Sequence, residues 1–157
     1  MNHIRLRAAK KEDLPTLLIF EQELIRSERP FDTTLRSGTF HYYDLEKMIE
    51  SDDANVVVAE LDDLLVGSGN VRIMNAKPYN TFERYAFLGF MYTVPEYRGR
   101  GINQRIIAAL VGWAREKGLQ EIRLQVYDDN LSAIRAYQKA GFVKKLVEMR
   151  IENPPGI

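Results

Sequence analysis

The chain has 157 residues, 45% hydrophobic and 28% charged, the balance of one globular domain rather than a disordered chain. Its 22 basic and 22 acidic residues cancel, so no overall field favours nucleic acid or anionic lipid, and no apolar run approaches the ~20 residues of a membrane helix. Cysteine is absent, which excludes disulfides, thiolate zinc sites and a cysteine nucleophile. The two histidines, His3 and His41, lie far apart, so no metal site is expected. The N-terminal stretch has no apolar core of an export signal, and the expected location is cytoplasmic.

Read in chain order, the elements form one alternating unit, a single domain over 1–157. Ile4–Ala8 reads as a first strand. Residues 12–26 read as a helix, with Leu14, Leu17, Leu18, Leu24 and Ile25 at helical spacing. Residues 27–43 are a long irregular segment rich in turn formers, of a length that is often functional or hides a short helix. Asp44–Ser51 is a short helix. Asn55–Leu61 and Leu64–Ile73 are strands around Asp62-Asp63, a hairpin signal. A second polar loop spans 75–83. Tyr85–Val94 is apolar at nearly every position, as in a strand covered on both faces. The next helix carries Ile102, Ile106, Leu110 and Trp113 on its buried stripe and stops at Gly118. Glu121–Tyr127 alternates as a strand, 131–140 is a helix ended by Gly141, and Phe142–Ile151 is a last strand before Asn153-Pro154-Pro155-Gly156. The expected fold is α/β (α+β), a mixed central sheet of six to seven strands flanked by about four helices.

The chemistry-bearing segment follows the apolar strand. Val94-Pro95-Glu96-Tyr97-Arg98-Gly99-Arg100-Gly101-Ile102-Asn103 leads from strand into helix. A helix start has unpaired N–H groups and a positive dipole end, and glycines let the backbone approach a ligand, so the turn suits a phosphate. Arg98, Arg100 and Arg105 add charge. An ordinary glycine turn with solvated arginines fits equally well. No Gly-Lys-Ser/Thr follows, so it is not a P-loop, and the third glycine of a dinucleotide fingerprint is missing.

With a second segment, Leu124-x-Val126-x-x-x-Asn130-x-x-Ala133-x-x-x-Tyr137-x-x-x-Gly141-Phe142, this turn resembles the paired motifs of the GNAT N-acetyltransferase superfamily. The resemblance covers 86–143 by motif and 1–85 by element order only. Asn103 departs from it, standing where the family usually has glycine or alanine. The resemblance implies acetyl-coenzyme A as co-substrate and direct acetyl transfer to an amine in a ternary complex. Backbone N–H groups from Arg98, Gly99, Arg100, Gly101, Ile102 and Asn103 would hold the pyrophosphate. Backbone at Tyr92 and Val94 would pair with the pantetheine arm, Asn130 would contact the pantetheine or phosphate region, and Tyr137 would protonate the leaving thiolate. Dimers are frequent in the family, so a homodimer is among the assemblies it implies.

Each residue also has a plainer reading. Tyr137 shares a stripe with Ala133 and Ala140 and suits a core position, and Asn130 suits a helix N-cap. The base is open. The family's usual acidic position on the central strand falls in Phe87-Leu88-Gly89-Phe90-Met91, which has no carboxylate. Glu21 lies on the apolar face of the first helix with Leu14, Leu17, Leu18 and Ile25. That placement reads either as a carboxylate paired at a cleft edge or as a catalytic group for acceptor binding or proton relay. Glu28, Asp32 and Glu83 are weaker candidates for a cationic acceptor, and Tyr42, Tyr43 and Tyr79 for the pocket lining. The acceptor is a small-molecule or peptide amine of unspecified type. A non-catalytic acetyl-coenzyme A sensor or regulatory module is the alternative function, and an interaction protein whose glycine turn binds nothing is the third.

Overall fold

The computed structural model describes residues 3–152, so the expected terminal stop at 153–156 lies outside them. β1 (Arg5–Ala8), β2 (Ala54–Leu61), β3 (Leu64–Asn75), β4 (Arg84–Thr93) and β5 (Ile122–Arg123) form a sheet of five strands in the order β1-β2-β3-β4-β5. The first four pair antiparallel, and β5 runs parallel to β4. The helices are α1 (Leu14–Glu28), α2 (Leu45–Glu50), α3 (Ile102–Glu116) and α4 (Leu131–Lys139). None of them is long and apolar enough to cross a membrane.

Alternation in β2 divides the core. Val57, Ala59 and Leu61 join Ile106, Ile107 and Leu110 of α3 on one face. Val56 and Val58 join Leu17 and Phe20 of α1 and Leu45 and Met48 of α2 on the other. The hairpin between β2 and β3 turns on Asp62 and Asp63, both left-handed at φ +49° and +66°, as a two-residue turn between twisted strands requires. Close packing of α3 needs a glycine beneath it: a Cβ on Gly69 would lie 2.6 Å from Ile106 and 2.9 Å from the Met91 sulfur.

β4 departs from simple alternation. Ala86 and Leu88 face α3, whereas Phe90 and Tyr92 face α1 and α2. The change of face comes from one extra residue. Asn70 pairs with Gly89 but Ser68 pairs with Tyr92, so Phe90 and Met91 together oppose Gly69. Phe90 is left-handed at φ +56° although its side chain is buried. This is a β-bulge, which shifts every following side chain to the opposite face and bends the strand.

Three expectations are corrected. Among the described residues the sheet has five strands, not six to seven. The strand expected over 121–127 is reduced to Ile122–Arg123, which pairs only with Ala86 and Phe87. Beyond that point the bulge turns β4 away, and 124–127 have no ladder partner. The alternating segment 142–151 is not a strand, because from Val143 onward none of its backbone groups is hydrogen-bonded to another described residue.

Candidate active site

The glycine turn has the form of an anion cradle. A short 3-10 turn, Pro95–Tyr97, leaves β4, and Gly99 and Gly101 then adopt φ +78° and +77°. Gly101 is the N-cap of α3, with no side chain capping the helix. The first intrahelical bond runs from the Arg105 N–H to the Gly101 carbonyl (3.2 Å), so the preceding amides, through Asn103 and Gln104, have no partner in the helix. A Cβ added at Gly99 or Gly101 would meet nothing within 4 Å, so the turn opens onto free space. Arg98 bends back to donate from Nε to the Thr93 carbonyl (3.0 Å), and the Arg100 guanidinium lies 5.2 Å from the Tyr97 ring centre. The Ile102 side chain is buried in the core, so only its backbone belongs to the turn.

The bulge is held from both sides. The Phe90 N–H donates to the Tyr43 hydroxyl (2.9 Å), and its carbonyl accepts from the Ser68 hydroxyl (3.2 Å). Past it, the Val94 N–H donates to the Val66 carbonyl (2.9 Å), and Tyr92 stands opposite Ser68. Both expected pantetheine positions thus direct their backbone at β3. Strand alternation turns the intervening Thr93 toward the opening between β4 and β5.

Glu28 at the end of α1 sits among tyrosines. It accepts a hydrogen bond from the Tyr42 hydroxyl (3.2 Å). Burial pushes its carboxyl above the usual range, Tyr42 opposes that shift, and Asp32 adds to it. Burial, reinforced by the Glu28 charge, also raises four phenols: Tyr42, and Tyr43, Tyr127 and Tyr137, each to about 12. Of these hydroxyls Tyr42 is hydrogen-bonded to Glu28, Tyr43 holds the Phe90 N–H and Tyr127 donates to Asp32. Asp32 closes this side. It accepts from Thr34, the Tyr127 hydroxyl (3.0 Å) and Arg150 (3.2 Å), and Thr34 first, then Tyr127 and Arg150, hold its carboxyl well below the usual range. Phe31 stacks on Tyr127 at 6.0 Å.

Of the two readings of Glu21, the contacts match the paired carboxylate. It is fully buried, and its carboxylate is engaged at both oxygens. Oε1 lies 2.6 Å from His41 Nδ1, and Oε2 accepts the N–H groups of Tyr42 and Tyr43, each at 3.0 Å. It anchors the segment that presents both tyrosines. Asn130 is the N-cap of α4, accepting from the Ala133 N–H (3.2 Å), and Tyr137 packs edge-on against Phe142 (6.1 Å). Tyr79 stands in solvent. Two contributors escaped the sequence reading. Ser68 sits in a β run with no polar pattern to mark it, and Gln104 looks like an ordinary helix-surface residue. The Gln104 side-chain amide donates to the Ala136 carbonyl (2.9 Å), tying the helix that carries Tyr137 to the first turn of α3.

Removing the Tyr43 hydroxyl tests the clamp. Tyr43→Phe leaves the Phe90 N–H without its partner, and the buried donor costs about 1–3 kcal/mol. The expected result is a lower thermal midpoint, read by calorimetry. An unchanged midpoint would show that the hydroxyl does not hold the bulge.

The chain belongs to the acetyltransferase (GNAT) family, whose family model matches residues 20–142. Over 64 residues it is 39% identical to the thialysine N-epsilon-acetyltransferase of Bos taurus, covering 40% of this chain and 38% of that protein. An uncharacterized N-acetyltransferase of Bacillus subtilis, YobR, is 33% identical over 63 residues, 40% of this chain and 26% of that protein. The chain thus spans well under half the length of these relatives. The aminoglycoside N(6')-acetyltransferase type 1 of Salmonella typhimurium is 24% identical over 103 residues, 65% of this chain and 71% of that protein. Among solved structures, AAC(6')-Iy in complex with a bisubstrate analogue, CoA-S-monomethyl-acetylneamine, superposes with a TM-score of 0.76 at 20% identity, covering 96% and 99% of the two chains. A predicted acetyltransferase from Clostridium acetobutylicum with acetyl-CoA gives 0.72 at 19% identity, with 96% of each chain covered.

Proposed function

We propose that this protein transfers the acetyl group of acetyl-coenzyme A directly to an amine, with the co-substrate's pyrophosphate on the uncapped start of α3. The observation that supports the reading is the 2.9 Å bond from Gln104 to Ala136, which ties α4, the helix that carries Tyr137, to the first turn of α3, where the glycine turn opens onto free space. Acetyl-coenzyme A supplies the activated thioester. The chain's residues supply binding and proton handling. Backbone amides of the 98–103 turn bind the anion, and Thr93, rather than Tyr92 or Val94, offers its amide to the pantetheine arm.

As the amine nitrogen bonds to the acetyl carbon, the carbon–sulfur bond breaks and the sulfur leaves as a thiolate. Tyr137 suits proton delivery to that thiolate, since its phenol stays protonated at neutral pH. An amine of pKa near 10 arrives mostly as ammonium, so a base must take a proton from it. Glu28 fits that role, because burial raises its basicity and it stands on the acceptor side with Tyr42. The same carboxylate would attract a cationic acceptor, a small molecule or a peptide amine. The named relatives make aminoglycosides and lysine-like amines the first to screen.

The test is calorimetric titration of acetyl-coenzyme A followed by thiol release across an amine panel. Micromolar binding with turnover on at least one amine supports the reading. Binding without turnover on any amine would favour a non-catalytic sensor, and no binding would remove both. Glu28→Gln is expected to lower kcat/KM on the order of 100-fold, the usual scale for one proton-transfer group. The base works ionised, so wild-type kcat/KM should rise with pH through the Glu28 pKa, which burial holds above the usual carboxylate range. In the glutamine variant this acidic limb should vanish. A limb that persists unchanged would assign the base elsewhere.

A further inference from the structure

Two arginines stand on the α1 and α2 face of the sheet, before the bulge in β4. Val71 of β3 packs with α3, so Asn70 and Arg72 on either side of it face the other way, and Asn70 donates to the Met48 sulfur of α2 (3.6 Å). Phe87 and Gly89 of β4 share that face. Gly89 lies under the Tyr43 hydroxyl, which an added Cβ would meet at 2.7 Å. The register sets Arg72 opposite Phe87 from β3 and Arg123 opposite it from β5. The Arg72 guanidinium lies 5.4 Å from the Phe87 ring centre, and that of Arg123 lies 4.5 Å from the Tyr85 ring centre. Arg72 forms no ion pair among the described residues. Arg123 uses only its Nε, on Glu121 at 3.4 Å. Strands lie ~4.8 Å apart, so the two backbones stand roughly 10 Å apart, and both side chains can reach one anion above Phe87. Stacking on aromatic rings holds each guanidinium in place and leaves its N–H fork open to a planar carboxylate.

We propose that the amine acceptor also carries a carboxylate, which Arg72 and Arg123 bind. The inference rests on the acetyl-transfer reading for the amine end, where Tyr43 stands edge-on to Tyr42, the partner of Glu28. Charges of both signs reach the Tyr43 hydroxyl: behind burial and the Phe90 bond, Glu28 raises its pKa and Arg72 lowers it. The face is therefore negative toward one end and positive toward the other. Gly89 marks the amine end and Phe87 the anion end, two residues or roughly 7 Å along the strand. That span fits an amine at the far end of a chain rather than an α-amine, whose nitrogen is two bonds from its own carboxylate carbon. The arginines also act against the wrong acceptor, since they repel a polycationic aminoglycoside.

The test pairs 6-aminohexanoate with hexylamine, which share the amine and the chain length and differ in the carboxylate. Each is titrated by calorimetry into the protein with coenzyme A present, a readout independent of turnover. The acid should bind on the order of 100-fold more tightly, from two charge-assisted contacts. Arg72→Gln and Arg123→Gln should each cut that preference on the order of 10-fold, and the double variant should bring it close to one. Arg72→Lys should restore part of it, because it keeps the charge and loses the fork. Circular dichroism reports that the variants are folded. Preference for the acid with no turnover of either amine would uphold the carboxylate site and remove acetyl transfer to such acceptors. Equal binding of the two amines by wild type, or binding of neither, would overturn the proposal. So would a preference that survives the double variant.

Discussion

Replacing Tyr137 by phenylalanine is expected to lower kcat on the order of 100-fold or more while leaving acetyl-coenzyme A affinity unchanged. The change removes one oxygen and keeps the ring, which packs edge-on against Phe142. The hydroxyl is the only part of the side chain that can deliver a proton. Burial, then the nearby Glu28 charge and Tyr43, raise its pKa to about 12. An acid with that pKa is protonated throughout the neutral range, so its proton is present when carbon–sulfur cleavage leaves a thiolate. The sign of the pH dependence follows. Tyr137 works in its protonated form, and its loss of function with rising pH should begin only toward pH 12. Any basic limb near neutrality must belong to another group. Single-turnover thiol release and a separate binding titration check this together. Unchanged turnover in the phenylalanine variant would leave Tyr137 with packing alone.

Gly101→Val should abolish measurable acetyl-coenzyme A binding, with a Kd raised roughly 100-fold or more, while the protein stays folded. At φ +77° a β-branched residue is strained, and left-handed backbone costs it about 1–2 kcal/mol. Because an added Cβ there meets no protein atom within 4 Å, the cost stops at strain. The new side chain instead occupies the space in front of the uncapped α3 amides, where an anion would sit. Gly118→Val is the matched control. It has the same φ of +77° and the same open surroundings, at the opposite end of α3. Both variants should lose a few degrees in thermal midpoint, at ~2–4 °C per kcal/mol for a domain of this size. Only Gly101→Val should lose binding. Equal binding in the two would make the 98–103 turn an ordinary connection.

The proposed acceptor side was legible in part. Glu28, Asp32, Tyr42 and Tyr43 were visible as polar and aromatic residues between the first two helices, without an order of importance. Their ranking comes from where α1 ends and where the 42–43 segment crosses it. Glu28 meets Tyr42, and Asp32 meets Tyr127 and Arg150, through contacts between segments that the sequence holds up to about a hundred residues apart. Glu21 shows the reverse. Its place on an apolar face correctly marked a carboxylate that needs partners, but periodicity has no means of saying that the partners are His41 and the amides of Tyr42 and Tyr43.

What the sequence determined by itself is local. Glycine spacing after an apolar strand set the turn and the start of α3. Helical spacing set the buried stripe of Ile102, Ile106 and Leu110, and an Asp-Asp pair between β runs set the hairpin. Each of these depends on a few consecutive side chains and their own backbone preferences. The tertiary structure alone decided the bulge at Phe90, the backbone direction at Tyr92 and Val94, and the fate of 142–151. An all-apolar β4 fits either face at every position, so one inserted residue leaves no trace in its pattern. Alternation at 142–151 gives a segment two faces but no neighbour. A strand exists only where another backbone meets its hydrogen bonds, and among the described residues that backbone is missing from this chain.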